Sequence, residues 1–164
     1  MTRPSSPANR KRKSAYINNV RYNVDMTIHD FTKNAMASSG HQLDQALAGL
    51  KEEHVDTKVG GIAMSPRELL EHLADCYVNT VDAAEGKEPN WGSYSAPDKS
   101  WSGLLAEFKS TRAKAVEKIL AAPEDKVGDL ALAYVVMHDA YHVGQLCLVR
   151  IATDPTWDPY SIYE

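Results

Sequence analysis

A chain of 164 residues, 43% hydrophobic and 24% charged, has the size and composition of a single globular domain with a real core. The net charge of -4 is uneven: Arg3, Arg10, Lys11, Arg12, Lys13 and Arg21 against Asp25 give the first 25 residues +5, which leaves -9 for the rest. An acidic body argues against nucleic-acid binding by the folded part, and the longest apolar run, LALAYVVM at 130–137, is too short to span a bilayer.

The first segment, MTRPSSPANRKRKS, is rich in Pro, Ser and basic residues and is expected to be a disordered extension over residues 1–25. It has no apolar stretch of the kind a secretory signal needs. Translation starting at Met26 would explain it, because Thr27 opens the first convincing helix. VRYNV at 20–24 alternates like a strand but has no partner strand. Residues 26–164 are then one domain with a short irregular tail.

Four helices are expected in that domain. The first spans about 27–52, with Thr27 and Asp30 as a cap and Ile28, Phe31, Ala35, Leu43, Ala46, Leu47 and Leu50 on one face. Gly40 weakens it locally. The second opens on SPRE, where Ser65 caps, Pro66 fills the first turn and Glu68 completes a capping box. It stops near Gly86, and Leu69, Leu70, Leu73, Tyr77 and Val81 form its stripe. A loop follows at 86–100, long enough to suggest a function, with Trp91 and Tyr94 as candidates to cover a site. The third helix runs from about Trp101 to Ala121, and the PED at 123–125 ends it. The fourth runs from about 128 to 152, is apolar almost all round, and is expected to be the most buried. Four amphipathic helices with no paired strands predict an all-α, antiparallel four-helix bundle.

The fourth helix carries MHDAYHVGQL at 137–146. At about 100° per residue, Ala131, Tyr134, Val135, His138, Tyr141, His142, Gln145 and Val149 share an arc with the two histidines at its centre. Two buried imidazoles repel when charged and lack partners when neutral. A divalent cation solves both problems by taking the lone pairs of neutral rings. Two core histidines bonded to carbonyls or carboxylates are the alternative, and without a third ligand they are the better one. His72, in LLEHLADC on the second helix, is the candidate third ligand. His29, His41 and His54 read as surface or packing residues. HDAYH also resembles the zinc-protease pattern, but Asp139 stands where that pattern has Glu. Glu68 and His72 are four apart, not the three a di-iron bundle uses. Cys76 is a soft donor one turn from His72, although Cys76 and Cys147 both read as reduced, buried thiols.

HLADC around His72, followed by HDAYHVGQL from His138, resembles the DinB/YfiT-like superfamily, a group taken to be metalloenzymes. The resemblance covers about residues 26–152. It implies a four-helix bundle in which His72, His138 and His142 bind one divalent metal, zinc or nickel. It also implies chemistry: several relatives are thiol S-transferases or isomerases. Three protein ligands leave a position open, and a thiol bound there becomes a thiolate. The expected function is transfer of a low-molecular-weight thiol to a small electrophile. A metal hydrolase is the alternative, or a non-catalytic metal-binding bundle that acts by association. A small-molecule substrate, a cytoplasmic location, no membrane contact and a homodimer complete these expectations.

Around the histidines, Gln145 is a candidate to orient a ligand, and Tyr134 and Tyr141 flank the same face. Glu71 and Asp75 are candidates to bond a ligand's other ring nitrogen. Arg112 sits in the apolar arc of the third helix between Phe108 and Val116, where a guanidinium needs an anion. A carboxylate such as Asp75 is the expected partner, with a substrate carboxylate as the functional alternative.

Overall fold

The computed structural model describes residues 26–61 and 63–164. The basic extension and the VRYNV segment lie outside the described residues. The helices are α1 (Ile28–Leu47), α2 (Pro66–Ala84), α3 (Trp101–Leu120), α4 (Glu124–Ala131) and α5 (Met137–Thr153). A π-helical segment, Leu132–Val136, joins α4 to α5 without a break, so the two make one long rod. The fold is therefore an antiparallel four-helix bundle, with α2 against α3 and α1 against α5 as its most extensive helix pairs. A 3₁₀ turn, Pro159–Tyr163, returns the tail onto α1. Among the described residues no helix is long and apolar enough to cross a membrane.

Local chemistry accounts for most helix ends. Thr27 with Asp30, and Ser65 with Glu68, form complete capping boxes. Ser100 caps α3 by accepting from the Gly103 N–H. Gly86 ends α2 at φ 75°, a value that favours glycine. Two boundaries differ from the sequence expectation. α1 stops at Leu47, not near 52, because its last carbonyls are claimed from outside: the Arg150 guanidinium donates to Ala46 O (3.3 Å) and to Ala48 O, and Trp157 packs over Arg150 at 4.9 Å. The fourth rod starts at Glu124, not near 128, because Glu124 and Asp125 suit the positive end of a helix.

Two apolar clusters fill the interior. One gathers Leu43, Leu69, Leu70, Leu73, Tyr77, Leu104, Phe108 and Leu146, and the other Met36, Ile119, Val127, Ala131 and Val135. Between them lies a polar layer. Asp139 of α5 is fully buried and accepts from Tyr77 Oη (2.5 Å, α2), Ser39 Oγ (2.7 Å, α1) and Arg112 Nη2 (2.7 Å) and Nε (3.2 Å, α3). Arg112 Nη2 also donates to Met36 O (2.6 Å). One carboxylate thus joins all four rods. Gly40 makes room for it: a Cβ there would lie 2.5 Å from Arg112 Nη1. The glycine expected to weaken α1 is the seat of the guanidinium.

This layer explains two corrections. Thr32, Met36, Ser39 and Gly40 are the inward positions in the first half of α1, while Phe31 is 58% exposed. The apolar count chose Phe31 because small polar residues do not look like core. The fourth rod is also not buried all round: Met137, Tyr141, Leu148 and Ile151 form an exposed stripe on α5.

Burial alone would lower the Arg112 pKa; Asp139 and Tyr77 outweigh it and hold it above its ordinary value. Burial and Asp139 push the Tyr77 hydroxyl well up, so it stays a donor. Removing one member of a buried ion pair leaves the other uncompensated. Asp139→Ala should therefore cost about 3–5 kcal/mol in urea unfolding. The double variant Asp139→Leu/Arg112→Met should cost less than that single change.

Candidate metal centre

The three histidines come from two rods. His72 lies in the middle of α2, and His138 and His142 are one turn apart near the start of α5. Their nitrogens converge. His138 Nε2 is 3.2 Å from His72 Nε2 and 2.9 Å from His142 Nε2, and one donor atom from each ring lies within 4.8 Å of the others. The rings pack edge to face, with centroids 4.5 to 5.1 Å apart.

Gln145 decides which nitrogen of His142 faces this point. Its Oε1 accepts from His142 Nδ1 at 2.7 Å, and its Nε2 donates to Tyr141 Oη at 3.2 Å. With its proton on Nδ1, His142 presents a lone pair at Nε2. Burial pulls the His142 pKa down to about 4, with His138 and His72 adding to the effect and Gln145 opposing it. Burial and His72 lower His138 as well. His138 and His142 are therefore neutral at pH 7.

Neutral rings in this arrangement fit a cation. A proton on His138 Nε2 bridges one of its two close contacts well and leaves the other poorly served. Three nitrogens each about 2.0–2.1 Å from a tetrahedral zinc lie about 3.3 Å apart, close to the 3.2 and 2.9 Å that separate His138 from His72 and from His142. The donor set thus suits one divalent ion.

The other expected site residues go elsewhere. Asp75 accepts from the Gly92 N–H (2.8 Å), the Tyr94 N–H (2.9 Å) and Asn79 Nδ2 (3.1 Å), so it clamps the 86–100 loop to α2 and orients no histidine. Glu71 pairs with Lys99 at 3.0 Å. Arg112 pairs with Asp139, not Asp75, and its Nε and Nη2 are committed to the polar layer. Asp139 faces that layer, so it does not take the place of the protease glutamate. Cys76 Sγ lies 3.6 Å from His72 Nε2, but burial, with Asp75 adding, pushes its thiol up to about 12, and it stays protonated. His29 bonds Ala122 O at 3.3 Å and His54 lies 3.5 Å from Glu53, both away from the cluster.

The histidines also sit differently from the helical-wheel expectation. The buried line on this rod is Val135, Asp139, His142, Leu146 and Val149. His142 is 2% exposed, whereas His72 and His138 are partly open. The pair marks the edge of the buried arc, with an open side towards His138.

The family model of the DinB superfamily matches residues 35–146, well over half of the chain and including all three histidines. The chain belongs to the DinB superfamily. No curated protein and no solved structure matches it. Membership accords with both the helical bundle and a histidine triad able to hold a metal.

The depressed imidazoles set a pH dependence. Between the ordinary imidazole value of 6.5 and about 4, the unfolded chain binds protons that the folded chain refuses. For metal-free protein, the stability from this source is complete above about pH 6.5 and falls as the pH drops towards 4. The loss should reach about 3 kcal/mol, read from urea unfolding at pH 7 and pH 4.

Proposed function

We propose that this DinB-superfamily bundle is a metal-dependent enzyme that transfers a low-molecular-weight thiol to a small electrophile. The observation that carries this reading is the donor set: three converging imidazoles, two of them held neutral by burial, with no ring nitrogen donating to a carboxylate among the described residues. His72, His138 and His142 would hold a zinc or nickel ion. When bound, that ion supplies an open position at which a thiol is held as thiolate at neutral pH.

The chain's own residues support such chemistry in three ways. Gln145 holds His142 in the tautomer that turns Nε2 inward. Burial keeps the Cys76 thiol protonated while no metal is bound. The open edge at His72 and His138 admits a small molecule, while the buried His142 anchors the cluster from below. A peptidase-type hydrolase would want a carboxylate base beside the cluster, and the nearby acids are otherwise engaged: Asp139 with Arg112, Asp75 with the loop, Glu71 with Lys99. That distribution favours the thiol reading over the hydrolase.

Zinc- or nickel-loaded protein should conjugate a small thiol to a generic electrophile such as an epoxide or an aryl halide. His142→Ala should lower the rate at least 100-fold while circular dichroism stays helical. Thiol-independent turnover of esters or amides by the loaded protein would favour the hydrolase instead.

A further inference from the structure

The open edge of the histidine cluster is bordered by aromatic side chains that the core does not need. Trp91 stacks on Tyr134, with centroids 5.8 Å apart and planes at 21°, yet Trp91 remains 49% exposed. Tyr134 lies in the π segment, four residues before His138. Four residues fall short of a π turn by less than one residue, so Tyr134 and His138 nearly line up on one face. Tyr141 stands on the other side of His138 in the chain. It is 64% exposed, meets the His142 ring edge to face at 5.0 Å, and accepts from Gln145.

The loop that carries Trp91 is fixed from the same place. Asp75, three residues after His72, takes the N–H groups of Gly92 and Tyr94 on either side of Ser93. Tyr94 donates to Glu107 of α3, which ties down the far side of the loop. Trp91 is therefore held by backbone contacts its own side chain does not make, next to the turn of α2 that supplies His72. On the α5 side, Met137, His138, Tyr141 and Gln145 carry the face onward, while Lys126 and Asp129 line the pocket beside Tyr134.

Trp91 keeps its ring partly open although Asp75 fixes its loop, so a planar group can stack on it. Small-molecule sites pair such rings with a few polar groups that fix orientation. We propose that Trp91, Tyr134 and Tyr141 form an aromatic wall beside the histidine cluster, and that this wall selects substrates carrying a planar ring. The proposal rests on the metal reading above and adds the substrate class: for thiol transfer, the ring belongs to the electrophile or to the thiol. Ring stacking beyond simple burial amounts to about a fivefold effect in affinity.

The test uses full-length, zinc-loaded protein and two probes with the same metal-binding head, benzohydroxamate and cyclohexanecarbohydroxamate. They match in size and differ in the planarity of the ring. Calorimetric titration should show the benzo probe binding about fivefold more tightly to the wild type. Trp91→Ala should abolish that preference, leaving the cyclohexyl affinity within about twofold. Trp91→Phe should restore most of it. Equal affinities in the wild type, or a preference unchanged in Trp91→Ala, would overturn the aromatic wall while leaving the metal centre standing. Failure of both probes to bind zinc-loaded protein would remove the open coordination position and the wall with it.

Discussion

The buried carboxylate of Asp139 is the constraint around which the bundle is arranged. An ionised group with no exposure is tolerated only when its lone pairs are taken and its charge is answered. Asp139 is served by Tyr77, Ser39 and Arg112, one from each of the other three rods. Apolar contacts tolerate sliding; this layer does not, because a shift of any rod breaks a short, charge-assisted bond. Its position between two apolar clusters fixes the register of the rods along their length. Gly40 belongs to the same device, since a side chain there would meet the guanidinium.

The histidine cluster inherits that register. His138 is adjacent to Asp139 in the chain, so its direction is set by a helix locked one residue away. The carboxylate points into the bundle and the imidazole points along its edge, towards His72. α2 is held in the same way: Tyr77, which bonds Asp139, lies five residues after His72. The polar layer and the histidine cluster are thus two faces of one α2–α5 contact. One face gives rigidity. The other gathers three imidazole nitrogens that the apolar core alone would have no reason to bring together.

Much of this was legible in the sequence where the signal is local. Ser65, Pro66 and Glu68 announce the start of α2 through bonds made within four residues, and Thr27 with Asp30 does the same for α1. The three histidines were legible because their type and spacing carry chemistry. What stayed hidden depends on distant partners. Asp139 reads as a weak imitation of a protease glutamate until Tyr77 and Arg112 are seen on it. Arg112 plainly needed an anion, but nothing in the chain distinguishes Asp139 from Asp75. Gly40 held a clue, since a glycine inside an otherwise good helix signals a close approach. The burial of the last rod was overestimated because composition cannot show which apolar side chains a bundle leaves outside. The π segment between α4 and α5 has no sequence signal that we can identify.

The central claim is that the three histidines are together because they bind one metal ion. The most direct test is elemental analysis of untagged protein, purified without metal columns, beside His138→Ala. The account predicts close to one zinc or nickel per chain, lost in the variant, with both proteins helical. No metal in the wild-type protein, even after incubation with zinc and nickel salts, would contradict it. The histidines would then be ordinary packing residues at the edge of the core.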